Sequence, residues 1–127
     1  MKLTKVLAVM AALLFTFSSG AITAGVRQWF QPIVTVDLVN RSGQPVTKLL
    51  VKVKTNGYDS EISVRALPVG ESQTVRFVLA GEGSYQVNAT LANGTILHGA
   101  TGYVEAGYSA RETLLSNKVE SKYVHVL

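Results

Sequence analysis

The chain has 127 residues, of which 47% are apolar, a size that suits one domain with a targeting segment and leaves no room for two domains. Of its 12 basic residues, Lys2 and Lys5 precede the hydrophobic N-terminal segment, and the other 10 are spread among 8 acidic residues. Nucleic-acid-binding domains cluster their basic residues, so we expect no nucleic-acid partner. The absence of cysteine excludes thiol catalysis, cysteine-ligated zinc, iron–sulfur clusters and lipid attachment through cysteine.

The N-terminus has the three regions of a secretory signal in order. A positive start over residues 1–5 is followed by an unbroken apolar stretch over 6–17 and by the small residues Ser18-Ser-Gly-Ala21. Cleavage after Ala21 places Ser19 at the −3 position, whereas cleavage after Ala24 places the bulkier Ile22 there. This pattern indicates a signal peptide or signal anchor over residues 1–24.

A retained membrane anchor is the alternative to cleavage. No charge occurs between Lys5 and Arg27, and this span of 21 residues is close to the ~20 that cross a bilayer core. Trp29 and Phe30 would then lie at the outer interface. Cleavage is favoured because Ser18, Ser19 and Gly20 end the apolar run at a length nearer to that of a signal peptide. In both cases we expect the domain outside the cytoplasm, periplasmic or secreted, with the membrane as a partner only if the segment is retained.

After a linker over residues 25–32, the apolar residues recur with period two and turn residues follow at short intervals. This pattern is typical of short strands in a sandwich or barrel. The first strand is predicted to begin at Ile33, and later strands are predicted over 73–80 and 108–115. No helix is predicted after residue 27, so the domain is all-β and extends over residues 33–115.

The register of the first hairpin follows from its turn. Asn56-Gly57 favours a two-residue type I′ loop, and this loop places apolar residues opposite each other on one face and opposite charges on the other. A one-residue slip would lose both arrangements. The predicted pairs are Leu49 with Val64, Val51 with Ile62, Val53 with Ser60, Lys52 with Glu61, and Lys54 with Asp59.

A second hairpin is predicted around Asn93-Gly94 by the same rule. Its register pairs Leu91 with Ile96 and Ala89 with His98, which places His98 on the apolar face of the hairpin. The opposite face, which includes Leu97, is mostly polar and is predicted to be in contact with water.

Seven short strands over about 85 residues suggest a two-sheet antiparallel sandwich. In strand number and spacing, residues 33–115 resemble the immunoglobulin-like or fibronectin-type-III-like sandwiches of small exported bacterial proteins. The predicted fold is therefore an all-β sandwich of about seven strands, preceded by an N-terminal hydrophobic export or anchor helix. The chain lacks the two cysteines and the core tryptophan of immunoglobulin domains, so the resemblance implies no functional residue.

The C-terminal tail, residues 116–127, is polar at first and then ends in the β-prone stretch 122–127. Two interpretations are open. The tail is an eighth strand at the edge of the same sheet, or it is an exposed segment that adds to the sheet of a partner.

The chain has few residues that are suited to catalysis or metal binding. The chain has two histidines, His98 and His125, and a metal site that used both would need the tail to fold back onto the second hairpin. No nucleophile, base and orienting group occur together in the pattern. We therefore expect no catalytic residues, no metal, no cofactor and no enzyme.

Four tyrosines mark a candidate contact surface. Tyr85, Tyr103 and Tyr108 fall near one end of the second hairpin, and Tyr123 lies in the tail. They either pack at a sheet edge or form a protein-contact surface, since tyrosine is enriched in the cores of interfaces. The glycine-rich stretch over residues 99–108 is the preferred location for such a surface, because glycine lets another backbone approach closely.

The sequence thus predicts a non-catalytic exported binding module. Such a module is an accessory subunit of a cell-envelope complex or an inhibitor-like protein, and its partner is another envelope or secreted protein. The alternative is a structural or adhesive surface subunit that assembles by strand addition through the C-terminal tail.

Overall fold

A computed structural model describes residues 2–26 and 33–124 of the chain. The chain divides into an N-terminal unit, Met1–Gln31, and a C-terminal unit, Pro32–Leu127.

The N-terminal unit contains one helix, α1 (Lys2–Val26). Within it, Lys2–Ala24 is long and apolar enough to cross a membrane. Large apolar side chains are exposed along the helix, for example Phe15 and Phe17. A helix with these properties near the N-terminus fits both a signal peptide and a membrane anchor, as the sequence predicts.

The C-terminal unit is a sandwich of two β-sheets, which confirms the predicted all-β fold class. Seven of its strands precede the tail, as predicted, and an eighth lies in the tail. The strands are β1 (Ile33–Asn40), β2 (Val46–Thr55), β3 (Tyr58–Val64), β4 (Ser72–Val78), β5 (Glu82–Leu91), β6 (Ile96–Glu105), β7 (Ser109–Leu114) and β8 (Val119–Tyr123).

The strand order is β4-β1-β7-β8 in one sheet and β3-β2-β5-β6 in the other. Every pairing is antiparallel except that of β1 with β7, which is parallel. The first two strands lie in opposite sheets, whereas in immunoglobulin domains they share a sheet. The predicted resemblance to immunoglobulin-like domains therefore extends to the sandwich and not to its strand order.

The core is the apolar layer between the sheets, and it follows from the period-two pattern of the strands. On β1, for example, Val34, Val36 and Leu38 are fully buried while their neighbours are half-buried. Ile62, Val64 and Val119 close the layer at its margins.

A buried asparagine organises the loops at one end of the sandwich. Asn40 takes the last inward position of β1, and its side-chain amide donates to the carbonyl oxygens of Gln44 at 2.8 Å and Leu67 at 2.9 Å. Its Oδ1 accepts from the backbone N–H and the hydroxyl of Ser42 at 3.0 and 2.7 Å. These bonds satisfy a buried polar group and hold two loops together.

The first hairpin has the predicted register. Asn56 and Gly57 form the two-residue loop, with Gly57 at a φ of 79°, a left-handed conformation that glycine adopts without strain. Leu49 lies opposite Val64, and the oppositely charged Lys52 and Glu61 lie opposite each other with 3.8 Å between Nζ and Oε2.

The second hairpin differs from the prediction by one residue. The N–H of Leu91 donates to the carbonyl of Thr95 at 2.8 Å, so the loop has three residues and ends at Gly94, whose φ is 88°. A three-residue hairpin loop of this kind contains a β-bulge and, like the two-residue loop, places a glycine in the left-handed region. The slip exchanges the two faces: Leu97 is buried in the core, and His98, predicted on the apolar face, is exposed.

Further along the same hairpin, a β-bulge shifts the register between β5 and β6 by one residue. Tyr85 pairs with Thr101, but Gly83 pairs with Val104, so β6 has one extra residue at this point. The bulge turns Val104 into the core and leaves Gly102 and Tyr103 exposed.

The C-terminal tail forms β8, which pairs antiparallel with β7 over five residues. The N–H of Val124 continues the ladder by donating to the carbonyl of Ser109 at 2.8 Å. The described part of the tail is therefore an edge strand of its own domain, the first of the two predicted interpretations. His125 and the residues after it lie outside the described part of the chain.

Candidate functional site

The four tyrosines of the predicted contact surface do not form one patch. Tyr85 is buried in the core, with 2% of its surface exposed, and takes no part in any surface. Tyr108 and Tyr123 pack against each other, and Tyr103 lies on the outer face of the second sheet.

Tyr85 is buried because its hydroxyl has a polar partner inside the sandwich. Its ring packs edge-on against Phe77, with 5.9 Å between the ring centroids, and its hydroxyl donates to Oε1 of Glu112 at 2.5 Å. Oε2 of Glu112 accepts from the hydroxyl of Ser121 at 2.6 Å. This cluster links β5 of one sheet to β7 and β8 of the other, so its role is structural.

Tyr108 and Tyr123 close one margin of the core. Their rings meet nearly at right angles, at 85°, with centroids 5.7 Å apart. Tyr108 is half-buried against the core and Tyr123 is 45% exposed. Packing at a sheet edge, one of the two predicted interpretations, describes this pair.

Tyr103 is exposed on the outer face of the second sheet. The bulge of β6 turns it outward, and 44% of its surface is exposed. Its hydroxyl donates to Oε1 of Glu105, two residues along the chain, which fixes the ring. This hydrogen bond is the main reason why the pKa of Tyr103 lies above its ordinary range. The negative charges of Glu105 and Glu82 raise the pKa further.

Two carboxylates stand beside Tyr103. Glu82 and Glu105 are direct cross-strand partners at the end of the ladder between β5 and β6. Like charges in this position repel each other. Glu82, with Tyr103 and Lys54, borders an open depression at this end of the sheet. We call Glu82, Tyr103 and Glu105 the acidic end of β6.

The acidic end was only partly visible in the sequence. Tyr103 was among the predicted contact residues, but the two glutamates were not. Their signal was their position, since each lies beside a glycine-flanked turn at the same end of the hairpin. Pairing them required the correct register and the bulge.

His98 lies on the exposed outer face of the sheet and not on the apolar face where it was predicted. Its Nδ1 lies 2.7 Å from Oδ1 of Asn88, its neighbour across the outer face of the sheet. In residues 2–26 and 33–124, no three His, Cys, Asp or Glu side chains come together in a way that would hold a metal ion. The other histidine of the chain, His125, lies outside these residues.

No protein-family model matches the chain, and no curated protein sequence matches it. Solved structures similar to it include two bacterial proteins. A protein from Eubacterium rectale, solved by NMR, has 18% identity and a TM-score of 0.53 over 76% of this chain and 94% of that one. The T6SS lipoprotein TssJ1 from Pseudomonas aeruginosa has 9% identity and a TM-score of 0.48 over 76% of this chain and 99% of that one. The first likeness shows the fold alone, a β-sandwich.

Proposed function

We propose that this chain is exported from the cytoplasm and that its sandwich binds another envelope or secreted protein without catalysing a reaction. The N-terminal apolar helix supports export. A single observation carries the binding part, namely that Tyr103 is exposed and at the same time held in one orientation by Glu105.

An oriented, exposed tyrosine suits protein recognition for two physical reasons. Tyrosine supplies a large contact area with few rotatable bonds. Because the hydrogen bond to Glu105 already fixes the ring, less side-chain entropy is lost when a partner covers it.

The arrangement of titratable groups supports a non-catalytic role. Acid–base catalysis needs a group within hydrogen-bond reach of a bound substrate. Glu112 is enclosed in the core, and His98 is hydrogen-bonded to Asn88 on an open sheet face. Neither stands in a cleft beside a nucleophile.

The fate of the helix separates two versions of the proposal. A retained helix fits an accessory subunit of a membrane-bound envelope complex, and a cleaved one fits a free periplasmic or secreted protein of the inhibitor type. The alternative, an adhesive subunit that donates its tail, is not favoured because β8 already pairs with β7.

The proposal is tested by photocrosslinking in the cells that produce the protein. A benzoylphenylalanine at position 103 is compared with one at position 58, because Tyr58 is 73% exposed but lies on β3. We expect a discrete adduct with one extracytoplasmic protein from position 103 and none from position 58. Adducts from neither position, or the same adducts from both, would contradict a specific contact at Tyr103.

A further inference from the structure

The sandwich has four edge strands, and they are not equally protected against pairing with another chain. The edges are β4 and β8 in one sheet and β3 and β6 in the other. Natural edge strands avoid foreign strands by being short, by carrying charges or proline, or by a β-bulge that twists the edge away. The four edges can therefore be compared directly.

Three of the edges carry such protection. β3 has seven residues and carries Asp59 and Glu61, β4 has seven and carries Arg76, and β8 has only five, among them Glu120 and Lys122. β6 differs from all three. It has ten residues, no proline, and no Lys, Arg, Asp or Glu before Glu105 at its end. Its β-bulge lies after Thr101, so the pairing is regular from Ile96 to Thr101.

The hydrogen-bonding groups that β6 leaves open can be identified. Thr95 accepts from Leu91 of the neighbouring strand, and successive residues of a strand point their N–H and C=O groups to alternate sides. Leu97 and Gly99 therefore bond to β5, and Ile96, His98 and Ala100 direct their backbone groups away from it. Ile96 and His98 also expose their side chains on the outer face.

The acidic end specifies what kind of strand fits this edge. Glu82 and Glu105 face each other, and among the described residues neither forms a salt bridge with a Lys or Arg, although Lys54 borders the depression beside Glu82. A Lys or Arg from outside would relieve this repulsion, and its aliphatic stem or charge would pack on the ring of Tyr103. A second copy of β6 contains no Lys or Arg, so self-pairing brings no such charge.

We propose that the free edge of β6 accepts, by strand addition, an extended and otherwise uncharged segment of a partner protein that carries one Lys or Arg beside the acidic end. The main-chain groups of Ile96, His98 and Ala100 provide the pairing, and Glu82, Tyr103 and Glu105 provide the selection. This inference rests on the proposed function, since it names the chemistry of the partner.

The probe is a pair of peptides added to the full chain in detergent micelles. One is Lys-Thr-Val-Thr-Val-Thr-Lys, with a basic residue for either strand direction, and the other has Glu at both ends. Amide hydrogen exchange is followed by NMR. We expect the basic peptide to slow exchange at Ile96, His98 and Ala100 and to bind at least about fivefold more tightly than the acidic one.

Three variants locate the contact. Ile96→Lys, which places a charge on the edge, should abolish the protection. Val78→Lys is its matched control, because Val78 on β4 is 63% exposed and Ile96 is 58% exposed. Replacing both Glu82 and Glu105 with Gln should preserve binding and remove the preference for the basic peptide.

Several outcomes would overturn the inference. They are protection of β3, β4 or β8 in place of β6, equal binding of both peptides, no protection by either peptide, and protection of β6 in the absence of peptide through self-association. None of these outcomes decides the proposed function, which depends on export and on a crosslink at Tyr103. Conversely, a protein that stays in the cytoplasm contradicts the proposed function whatever its β6 edge binds.

Discussion

Glu112 is the carboxyl group that the described part of the sandwich encloses most completely, with 1% of its surface exposed. Both of its oxygens accept hydrogen bonds, from Tyr85 on one sheet and Ser121 on its own. A buried polar cluster of this kind stabilises a fold while all its members are present and weakens it when one is lost.

We expect Glu112→Ala to lower the free energy of unfolding by about 3 kcal/mol, since it removes two hydrogen bonds and leaves a cavity. Ser121→Ala removes only one of them, at the edge strand β8, and should cost about 1 kcal/mol. Urea unfolding of both variants measures the difference. An effect of Glu112→Ala no larger than that of Ser121→Ala would show that the cluster does not link the sheets.

Tyr103 gives a prediction that concerns ionisation. Its pKa lies above the ordinary value of about 10, chiefly because its hydroxyl donates to Glu105. A raised pKa means that the bond stabilises the folded chain below pH ~10 and that this contribution is lost as the pH rises through the higher value.

Glu105→Gln should therefore lower the pKa of Tyr103 towards the ordinary value, because it removes the negative acceptor. The phenolate absorbance of the chain and of its Tyr103→Phe variant, compared with and without Glu105→Gln, isolates this one titration. A pKa that does not change on Glu105→Gln would mean that Glu105 does not hold the ring in solution.

The buried role of Tyr85 was not predictable from its neighbours. Its partner Glu112 is 27 residues away. One sign was present, since Glu112 occupies the inward phase of β7 between Ala110 and Leu114. A carboxyl group in that phase requires a buried hydrogen-bond donor, but the sequence does not show which strand supplies it.

At the scale of elements, the two hairpins share an Asn-Gly dipeptide and differ in what fixes their register. Gly57 and Gly94 both have a positive φ. Two-residue and three-residue hairpin loops both favour glycine at this position, so the dipeptide does not distinguish between them. In the first hairpin the charge pairs select the two-residue loop. The second has no charge pair, and burial of Leu97 instead of His98 selects the three-residue loop. The turn residues therefore predicted the existence of both hairpins and the register of only one.

The contact between β6 and β8 depends on a glycine. A Cβ atom built on Gly99 would lie 2.7 Å from Cγ1 of Val119, which is closer than real atoms approach, whereas one on Gly102 would meet no atom within 4 Å. Gly99 therefore lets Val119 of the last strand pack against the inner, core-facing side of β6 and leaves its hydrogen-bonding edge open.

We expect Gly99→Ala to destabilise the domain by about 1–3 kcal/mol through overpacking, and Gly102→Ala on the same strand to change stability by less than about 0.5 kcal/mol. The variant Val119→Ala removes the two methyl groups and keeps the Cβ atom, which lies 2.8 Å from the Cβ position built on Gly99. Combining it with Gly99→Ala should therefore relieve part of the crowding and cost less than the sum of the single changes. Additive effects in this double-mutant cycle, measured by thermal or urea unfolding, would contradict the predicted packing.

At the scale of the whole molecule, period-two alternation was enough to predict a sandwich behind an apolar N-terminal segment. The assignment of strands to sheets was not predictable in the same way. The parallel pairing of β1 with β7 joins segments separated by most of the domain, and no local pattern encodes it. The same limit applies to the acidic end of β6, which needs both the register and the bulge.

The most direct test of the central claim, an exported binding domain, is the intact mass and cell fractionation of the protein expressed with its own N-terminus. We predict a chain that starts at Ile22 or Gly25 in the soluble extracytoplasmic fraction, or the full-length chain in the membrane fraction with its sandwich accessible to protease from outside. The first result identifies a free module and the second an anchored subunit. Full-length protein in the soluble cytoplasmic fraction would contradict the account.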